Sequence, residues 1–145
     1  MSLFTAFEIS GSALTAEKLR LEVIAGNLAN MQTTRTPEGG PYRRRTVVFA
    51  EALAAQRTRG ANQKGGAFPG RGVRVERIYA DRGEPQLVYD PEHPDAGADG
   101  YVRYPNIELA REMTDMITAL RSYEANATAV NTAKSLYLKA LEIGR

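Results

Sequence analysis

Hydrophobic side chains recur with a seven-residue period near the beginning of the chain. A spacing of seven separates Phe7, Leu14, Leu21 and Leu28, and the intervening steps of three and four are filled by Phe4, Gly11, Ile24 or Ala25, and Met31. This spacing is typical of a helix that buries one stripe against another helix. No proline interrupts residues 3–31, and the threonines and proline that follow favour an extended chain. The pattern predicts one long N-terminal helix.

The C-terminal part of the chain carries a second stripe with the same period. Steps of four and three connect Leu109, Met113, Met116, Leu120, Tyr123, Ala127, Val130, Lys134, Tyr137 and Leu141. Asn106 is a favourable N-cap, and the preceding Pro105 restricts the chain just before it. We therefore predict a helix that begins near residue 106. At about 1.5 Å per residue this helix would be about 57 Å long, so we expect an elongated molecule.

The helical period is lost between the two stripes. Four short runs there are rich in β-branched and aromatic residues and are bounded by Gly, Pro or Asp, namely 44–49, 73–79, 86–89 and 101–104. These runs predict four short β-strands. Residues 57–72 are basic and contain five glycines, which predicts a flexible loop.

Together these patterns predict an α+β fold in three parts. The N-terminal helix occupies 1–35, a β-rich, loop-rich insert with its flexible basic loop at 57–72 occupies 36–104, and the C-terminal helix occupies 105–145. Two helices cannot enclose a bundle core by themselves, so we expect them to pair as a coiled coil and neighbouring copies to supply further helices. The assembly interface predicted from the stripes consists of Phe4, Phe7, Leu14, Leu21, Ile24, Leu28, Leu109, Met113, Met116, Leu120, Tyr123, Val130, Tyr137 and Leu141.

Charge is segregated within the insert, although the whole chain has a net charge of only +2. Residues 35–77 hold ten basic and three acidic side chains (+7), whereas residues 81–99 hold six acidic and one basic side chain (−5). Opposite charges on neighbouring subunits set orientation and partner choice in an assembly. We therefore predict charge-paired contacts between the two segments of different subunits, made by Arg43, Arg44 and Arg45 with Asp90, Glu92 and Asp95.

Two alternatives fit the same charges. The acidic segment can fold back onto the basic segment of its own chain through the turn at 81–85. The arginine run next to Tyr42 is also compatible with phosphate contacts. The alternative function is therefore a secreted adhesive or nucleic-acid-binding module that uses residues 35–77.

The residues give little support to catalysis or metal binding. One acidic cluster has the right side chains for a metal or acid-base site, and its members are Asp90, Glu92, His93, Asp95 and Asp99. Pro91 and Pro94 stiffen this stretch, and the chain has one His and no Cys. We interpret the cluster as a rigid structural turn and expect no catalytic, cofactor or metal site, so the chain is not expected to be an enzyme.

Three stretches resemble the flagellar basal-body rod protein family, and in particular its proximal rod member. An Asn-x-Ala-Asn signature followed by Thr closes the first helix, and a run around Asp-Pro-Glu-His-Pro precedes Gly-Tyr-Val-Arg-Tyr-Pro-Asn. The C-terminal helix carries a Tyr-Glu-Ala-Asn run. The residues that carry the resemblance are Asn27, Asn30, Thr33, Asp90, Pro91, His93, Pro94, Gly100, Tyr101, Tyr104, Pro105, Asn106, Tyr123, Glu124 and Asn126.

The resemblance implies a structural subunit of the proximal rod, a tubular drive shaft in the flagellar basal body. It implies partners of four kinds: other copies of the chain, other rod proteins, ring and adaptor proteins at the rod base, and the flagellar type III export apparatus. The subunit would lie in the periplasmic space after export without a cleaved signal peptide. In keeping with this, residues 1–17 lack Lys and Arg, and no run of about eighteen apolar residues is present. We expect neither nucleic-acid binding nor direct membrane insertion.

Overall fold

A computed structural model describes residues 3–53 and 70–144 of the chain. The first element is helix α1 (Leu3–Ala29), and the last is helix α2 (Leu109–Ile143). Between them lie the four strands β1 (Arg45–Leu53), β2 (Gly70–Ala80), β3 (Gln86–Tyr89) and β4 (Tyr101–Tyr104). Two helices with a small β region between them confirm the α+β prediction at this coarse level. Neither helix combines the length and hydrophobicity needed to cross a membrane in the part of the chain that the structure describes.

The two helices run antiparallel and pack along each other. The Phe4 and Tyr137 rings meet edge to face at one end, with centroids 6.3 Å apart. Asn27 and Glu112 are hydrogen bonded at the other end. Within the described residues α1 is the element that covers α2, so the buried Ala119 and Ala133 mark the seam between the helices. Small side chains at these positions let the two backbones approach closely.

The β1–β2 ribbon packs against α1. Its strands are antiparallel, with Arg45 opposite Ala80, and the register shifts after Val48 and again after Glu51. Such bulges bend and twist a ribbon, which helps it to follow a helix. Asp81 donates its backbone N–H to the Arg44 carbonyl at 2.7 Å and closes the end of the ribbon.

Gly72 marks the point where β2 comes closest to α1. The Ser12 hydroxyl donates to the Ile9 carbonyl at 2.7 Å and accepts the Val73 N–H at 3.0 Å. A Cβ at Gly72 would overlap Ser12 Oγ and lie 3.2 Å from Ile9 Cα, and the φ of Gly72 is +106°. Both the space and the backbone conformation therefore require glycine here.

The second ribbon, formed by β3 and β4, is a short antiparallel pair in which Gln86 lies opposite Tyr104. It packs against no other helix or strand in the described part of the chain. Val102 is nevertheless fully buried, so one face of this ribbon is covered by the connecting segments.

Several predicted boundaries were wrong. Helix α2 begins at Leu109 and not near Asn106, because Pro105 and Ile107 are buried and the Ile107 N–H bonds back to the Pro105 carbonyl at 2.9 Å. The N-cap is Glu108, which makes no side-chain cap bond. Helix α1 ends at Ala29, two residues earlier than predicted.

The four predicted strands are all present, and β3 and β4 have the predicted bounds. Strands β1 and β2 extend beyond the predicted runs, since β1 continues to Leu53 and β2 begins at Gly70. The last three residues of the predicted loop at 57–72 therefore belong to β2. The remainder of that loop lies outside the described residues.

We expect Gly72→Ala to lower the free energy of unfolding by about 1 to 3 kcal/mol, because the methyl group is strained at positive φ and displaces Ser12. Chemical denaturation of the purified subunit measures the change. Gly11→Ala is the matched control, since its Cβ would meet nothing within 4 Å and it lies inside α1. That control should be stabilising by about 0.5 to 1 kcal/mol. Equal stability of the two variants would contradict the close approach.

Candidate assembly interface

A buried amide joins α1, α2 and the start of β1. Asn27 is 1% exposed, and its Nδ2 donates to the Arg45 carbonyl at 2.8 Å and to Glu112 Oε2 at 3.0 Å. Its Oδ1 accepts the Arg45 N–H at 2.8 Å and the Tyr42 hydroxyl at 3.3 Å. Both donors and both lone pairs of this amide are therefore used. We call Asn27, Tyr42, Arg44, Glu112 and Asp115 the polar junction.

An ion pair completes the polar junction. The Glu112 side chain is 0% exposed, and its Oε1 accepts a hydrogen bond from Arg44 Nε. The other guanidinium nitrogens of Arg44 donate to Thr46 Oγ1 at 3.0 Å and to Asp115 Oδ2 at 3.2 Å. A carboxylate can be buried this deeply because it is paired and hydrogen bonded.

Tyr42 responds to the same surroundings. Its partial burial raises the pKa of the phenol above the usual 10.0, the Glu112 carboxylate raises that pKa further, and the Arg45 charge lowers it. The hydroxyl thus remains protonated at neutral pH and can donate to Asn27 Oδ1.

Arg44 does not fit the expectation that all three arginines of the run face another subunit. Within the chain its guanidinium contacts two carboxylates of α2, not those of segment 81–99. Arg43 and Arg45 are exposed, and the Arg45 guanidinium lies 5.8 Å from the centre of the Tyr42 ring. Intersubunit charge pairing remains a prediction for Arg43 and Arg45 alone.

The α1 stripe is largely covered inside the chain. Ile24 is buried in the subunit's own core, and Phe7, Leu14, Leu21 and Leu28 are half-buried. Phe4 is exposed near the start of the helix. Ile24 is therefore removed from the predicted intersubunit contacts, because no face of it is left for a partner.

The α2 stripe is only partly covered. Met116 and Val130 are half-buried, whereas the exposed members of the predicted stripe are Leu109, Met113, Leu120, Tyr123, Tyr137 and Leu141. The seam itself contains Glu112, Ala119 and Ala133, which the hydrophobic pattern missed. Alanine gives a weak hydrophobic signal and a lone glutamate gives none. The spacing of seven and fourteen between these three positions is the signal that was available.

An apolar face of α2 points away from α1. It consists of Leu109, Met113, Ile117 and Leu120, which follow one another at steps of four, four and three and are all exposed. Ile117 was not among the predicted interface residues, and it is 51% exposed. Residues at this spacing share one side of a helix. We call these four residues the outer α2 face.

The C-terminal end of α2 also projects beyond its partner. Phe4, near the start of α1, is already level with Tyr137. Leu138, Leu141 and Ile143 follow and are exposed, Ile143 to 85%. We call residues 138–143 the α2 overhang.

The acidic turn is a compact structural element, as the sequence predicted for its proline-stiffened residues. Asp95 Oδ2 accepts the Thr34 hydroxyl at 2.7 Å, and the Asp95 N–H donates to His93 Nδ1 at 3.1 Å. The Asp90 N–H donates to the Gly100 carbonyl at 3.0 Å. Gly100 has a φ of +78°, and a Cβ there would lie 2.9 Å from the Tyr89 ring. In residues 3–53 and 70–144 no group of three His, Cys, Asp or Glu could hold a metal ion.

The other residues of the resemblance have local contacts in the structure. Asn30 Nδ2 bonds the Gly26 carbonyl at 2.9 Å, and the Thr33 hydroxyl bonds Asn30 Oδ1 at 3.2 Å, so both close the end of α1. Asn126 bonds the Ser122 carbonyl within α2 at 2.8 Å. Further members are the buried Pro105, the half-buried Pro91-flanking residue His93 and Tyr104, and the exposed Pro91, Glu92, Pro94, Tyr101, Asn106, Tyr123 and Glu124.

Comparison with known proteins finds relatives along the whole chain. The family described as "Flagella basal body rod protein" matches residues 7–35, and "Flagellar basal body rod FlgEFG protein C-terminal" matches residues 98–143. Flagellar basal-body rod protein FlgC of Borreliella burgdorferi is 44% identical, with 99% of this chain and 98% of the relative covered. The proteins of the same name from Bacillus subtilis and Yersinia enterocolitica are 43% and 46% identical, with both chains covered completely.

The polar junction predicts that Arg44→Met lowers the free energy of unfolding by about 3 kcal/mol, because it leaves the Glu112 charge buried without a partner. Denaturant titration of the purified subunit measures the loss. The exposed neighbour provides the control, and Arg43→Met should change stability by no more than about 0.5 kcal/mol.

Adding Glu112→Gln to Arg44→Met should recover part of the lost stability, since the second change removes the unpaired charge and leaves an acceptor for Asn27. Additive losses from the two substitutions would show that the pair does not act as a unit.

Proposed function

Because the chain belongs to the FlgC family of flagellar basal-body rod proteins, we propose that it is built into the proximal rod as one of the repeating subunits of a tubular shaft. It is a structural protein of the flagellar basal body and not an enzyme. The observation that supports polymerisation most directly is the outer α2 face. An exposed apolar stripe on a long helix is typical of a surface that is buried by another protein.

In this proposal the antiparallel pair of α1 and α2 forms a coiled coil whose second apolar side is completed by helices of neighbouring subunits. The seam with α1 uses the buried Ala119 and Ala133. The larger apolar side chains, among them Met113 and Ile117, remain available for other helices. The conserved order of small residues inside and large ones outside is what a helical wall made of many copies requires.

The partners follow from the same assignment. The subunit assembles with other flagellar rod proteins in the basal body, and we propose contacts with further copies of itself and with ring and adaptor proteins at the rod base. We also propose a periplasmic position for the rod subunit and delivery by the flagellar type III export apparatus. Nucleic-acid binding is not favoured, because Arg44 of the basic run is already paired inside the chain.

The outer α2 face gives a direct test of function in a deletion strain that carries a plasmid copy of the gene. We expect Ile117→Asp to abolish or strongly reduce swimming, because a charge would be buried between helices on assembly. Thr118→Asp is the control on the adjacent, exposed position of the same helix, and it should swim like the parent. Both variants should unfold at similar denaturant concentrations. Full motility of Ile117→Asp, or of the deletion strain itself, would contradict the proposed role.

The charged segments give a second test, which must leave Arg44 intact because that residue supports the polar junction. We expect Arg43→Glu combined with Arg45→Glu to reduce incorporation into isolated basal bodies several-fold without lowering expression of the subunit. Coexpressed subunits with Asp90→Lys and Glu92→Lys should restore part of the incorporation. Normal incorporation of the double Glu variant at low and moderate salt would show that these two arginines do not orient the subunit.

A further inference from the structure

The β3–β4 ribbon has one covered face and one open face. In an antiparallel register, directly opposite residues lie on the same face, and Leu87 lies opposite Arg103 while Tyr89 lies opposite Tyr101. The other face carries Val102, which is fully buried. Leu87 and Tyr89 are 62% and 65% exposed. We call Leu87, Tyr89, Tyr101 and Arg103 the outer ribbon face.

This outer ribbon face is unusually apolar for a surface that contacts water. The Tyr89 and Tyr101 rings pack edge to face with centroids 5.3 Å apart, and both remain exposed. A two-stranded ribbon is at best marginally stable in water by itself. The ribbon also has no helix or strand of its own chain against it in the described residues. A contact from another molecule would bury the aromatic rings and stabilise the strand pair.

The shape and charge of the surroundings narrow the kind of partner. The outer ribbon face borders an open cleft of about 400 Å³, whose other wall includes Thr34 and Pro41. Asp95 and Asp99 lie along the same cleft. The segment around it, residues 81–99, has a net charge of −5. The cleft therefore suits a partner that presents basic and aromatic side chains together.

Such a surface is present at the end of β2 in the same chain. Arg77 and Tyr79 are two residues apart on β2, both are exposed, and the Arg77 guanidinium lies 6.0 Å from the centre of the Tyr79 ring. Arg74 is exposed on the same strand. This strand end belongs to the segment whose net charge is +7.

We propose that the outer ribbon face of one subunit binds the Arg77 and Tyr79 surface of a second copy of this chain. Buried aromatic area supplies the attraction, and the opposite charges of the two segments set the orientation. The two surfaces are different, so the contact is head-to-tail and can repeat along an open helical assembly. This inference rests on the proposed rod function, and it assigns one specific contact within that rod.

Disulfide crosslinking tests the contact cleanly because the chain contains no cysteine. Leu87→Cys and Tyr79→Cys are placed in two separately tagged copies that are coexpressed in the deletion strain, so every crosslink between the tags joins different subunits. Basal bodies are isolated and oxidised, and the fraction of crosslinked dimer is measured on non-reducing gels. We expect this fraction to be at least several-fold higher than for Leu87→Cys with Lys139→Cys, a pair that uses an exposed position on α2.

A charge exchange provides the second measurement. Arg77→Glu in the copy that carries Tyr79→Cys should reduce the crosslink several-fold, and Glu92→Lys in the other copy should restore part of it. If either thiol variant prevents rod formation, Arg103→Cys with Arg77→Cys reports on the same two surfaces.

The inference would be overturned by crosslinking no greater than that of the control pair in rods that assemble and support swimming. It would also be overturned if the Leu87→Cys copy crosslinked only to a different rod protein carrying an introduced thiol. Since swimming is recorded in the same strains, failure of this contact is distinguishable from failure of the rod function itself.

Discussion

The arrangement of this subunit depends on the hydrogen bonds of one buried amide. Asn27 is the residue at which the end of α1, the start of β1 and the first turn of α2 meet, and all of its donors and acceptors are used there. Sliding one helix past the other would leave this amide and the Glu112 carboxylate buried without partners, at a cost of several kcal/mol. The alanine seam between the helices distinguishes far less between alternative alignments. Directional polar bonds therefore select the register, and the apolar contacts add stability once it is set.

Much of the fold could be predicted from periodicity, because both helices and the short strands obey strong local rules. The stripes were harder to interpret. A period of seven identifies a helix that packs, but it does not say which of two apolar sides meets the partner within the chain. Large residues such as Met113 dominate the hydrophobic signal, whereas the seam is lined by Ala119 and Ala133. The pattern therefore emphasised the side that remains exposed.

The polar junction could not be predicted from the sequence for a related reason. Arg44 and Glu112 are 68 positions apart, and nothing local shows that a glutamate in the first turn of a helix is buried. That glutamate resembled a residue placed to favour the positive end of the helix. The helix start was displaced by the same kind of long-range effect, because burial of Ile107 takes precedence over capping by Asn106. Family resemblance indicated that Asn27 matters, and only the fold shows what it contacts.

The two ends of the helix pair differ chemically, and this difference gives the subunit a direction. One end is closed by the ion pair of Arg44 and Glu112, while the other continues into the α2 overhang with its exposed leucines and isoleucine. A neighbour stacked along the axis meets a polar, fully bonded surface at the first end and an adhesive apolar one at the second. Reversing a subunit would bring two adhesive ends together and leave two polar ends facing each other. The chain thus carries, within its own helices, the polarity that lets a growing filament tell its base from its tip.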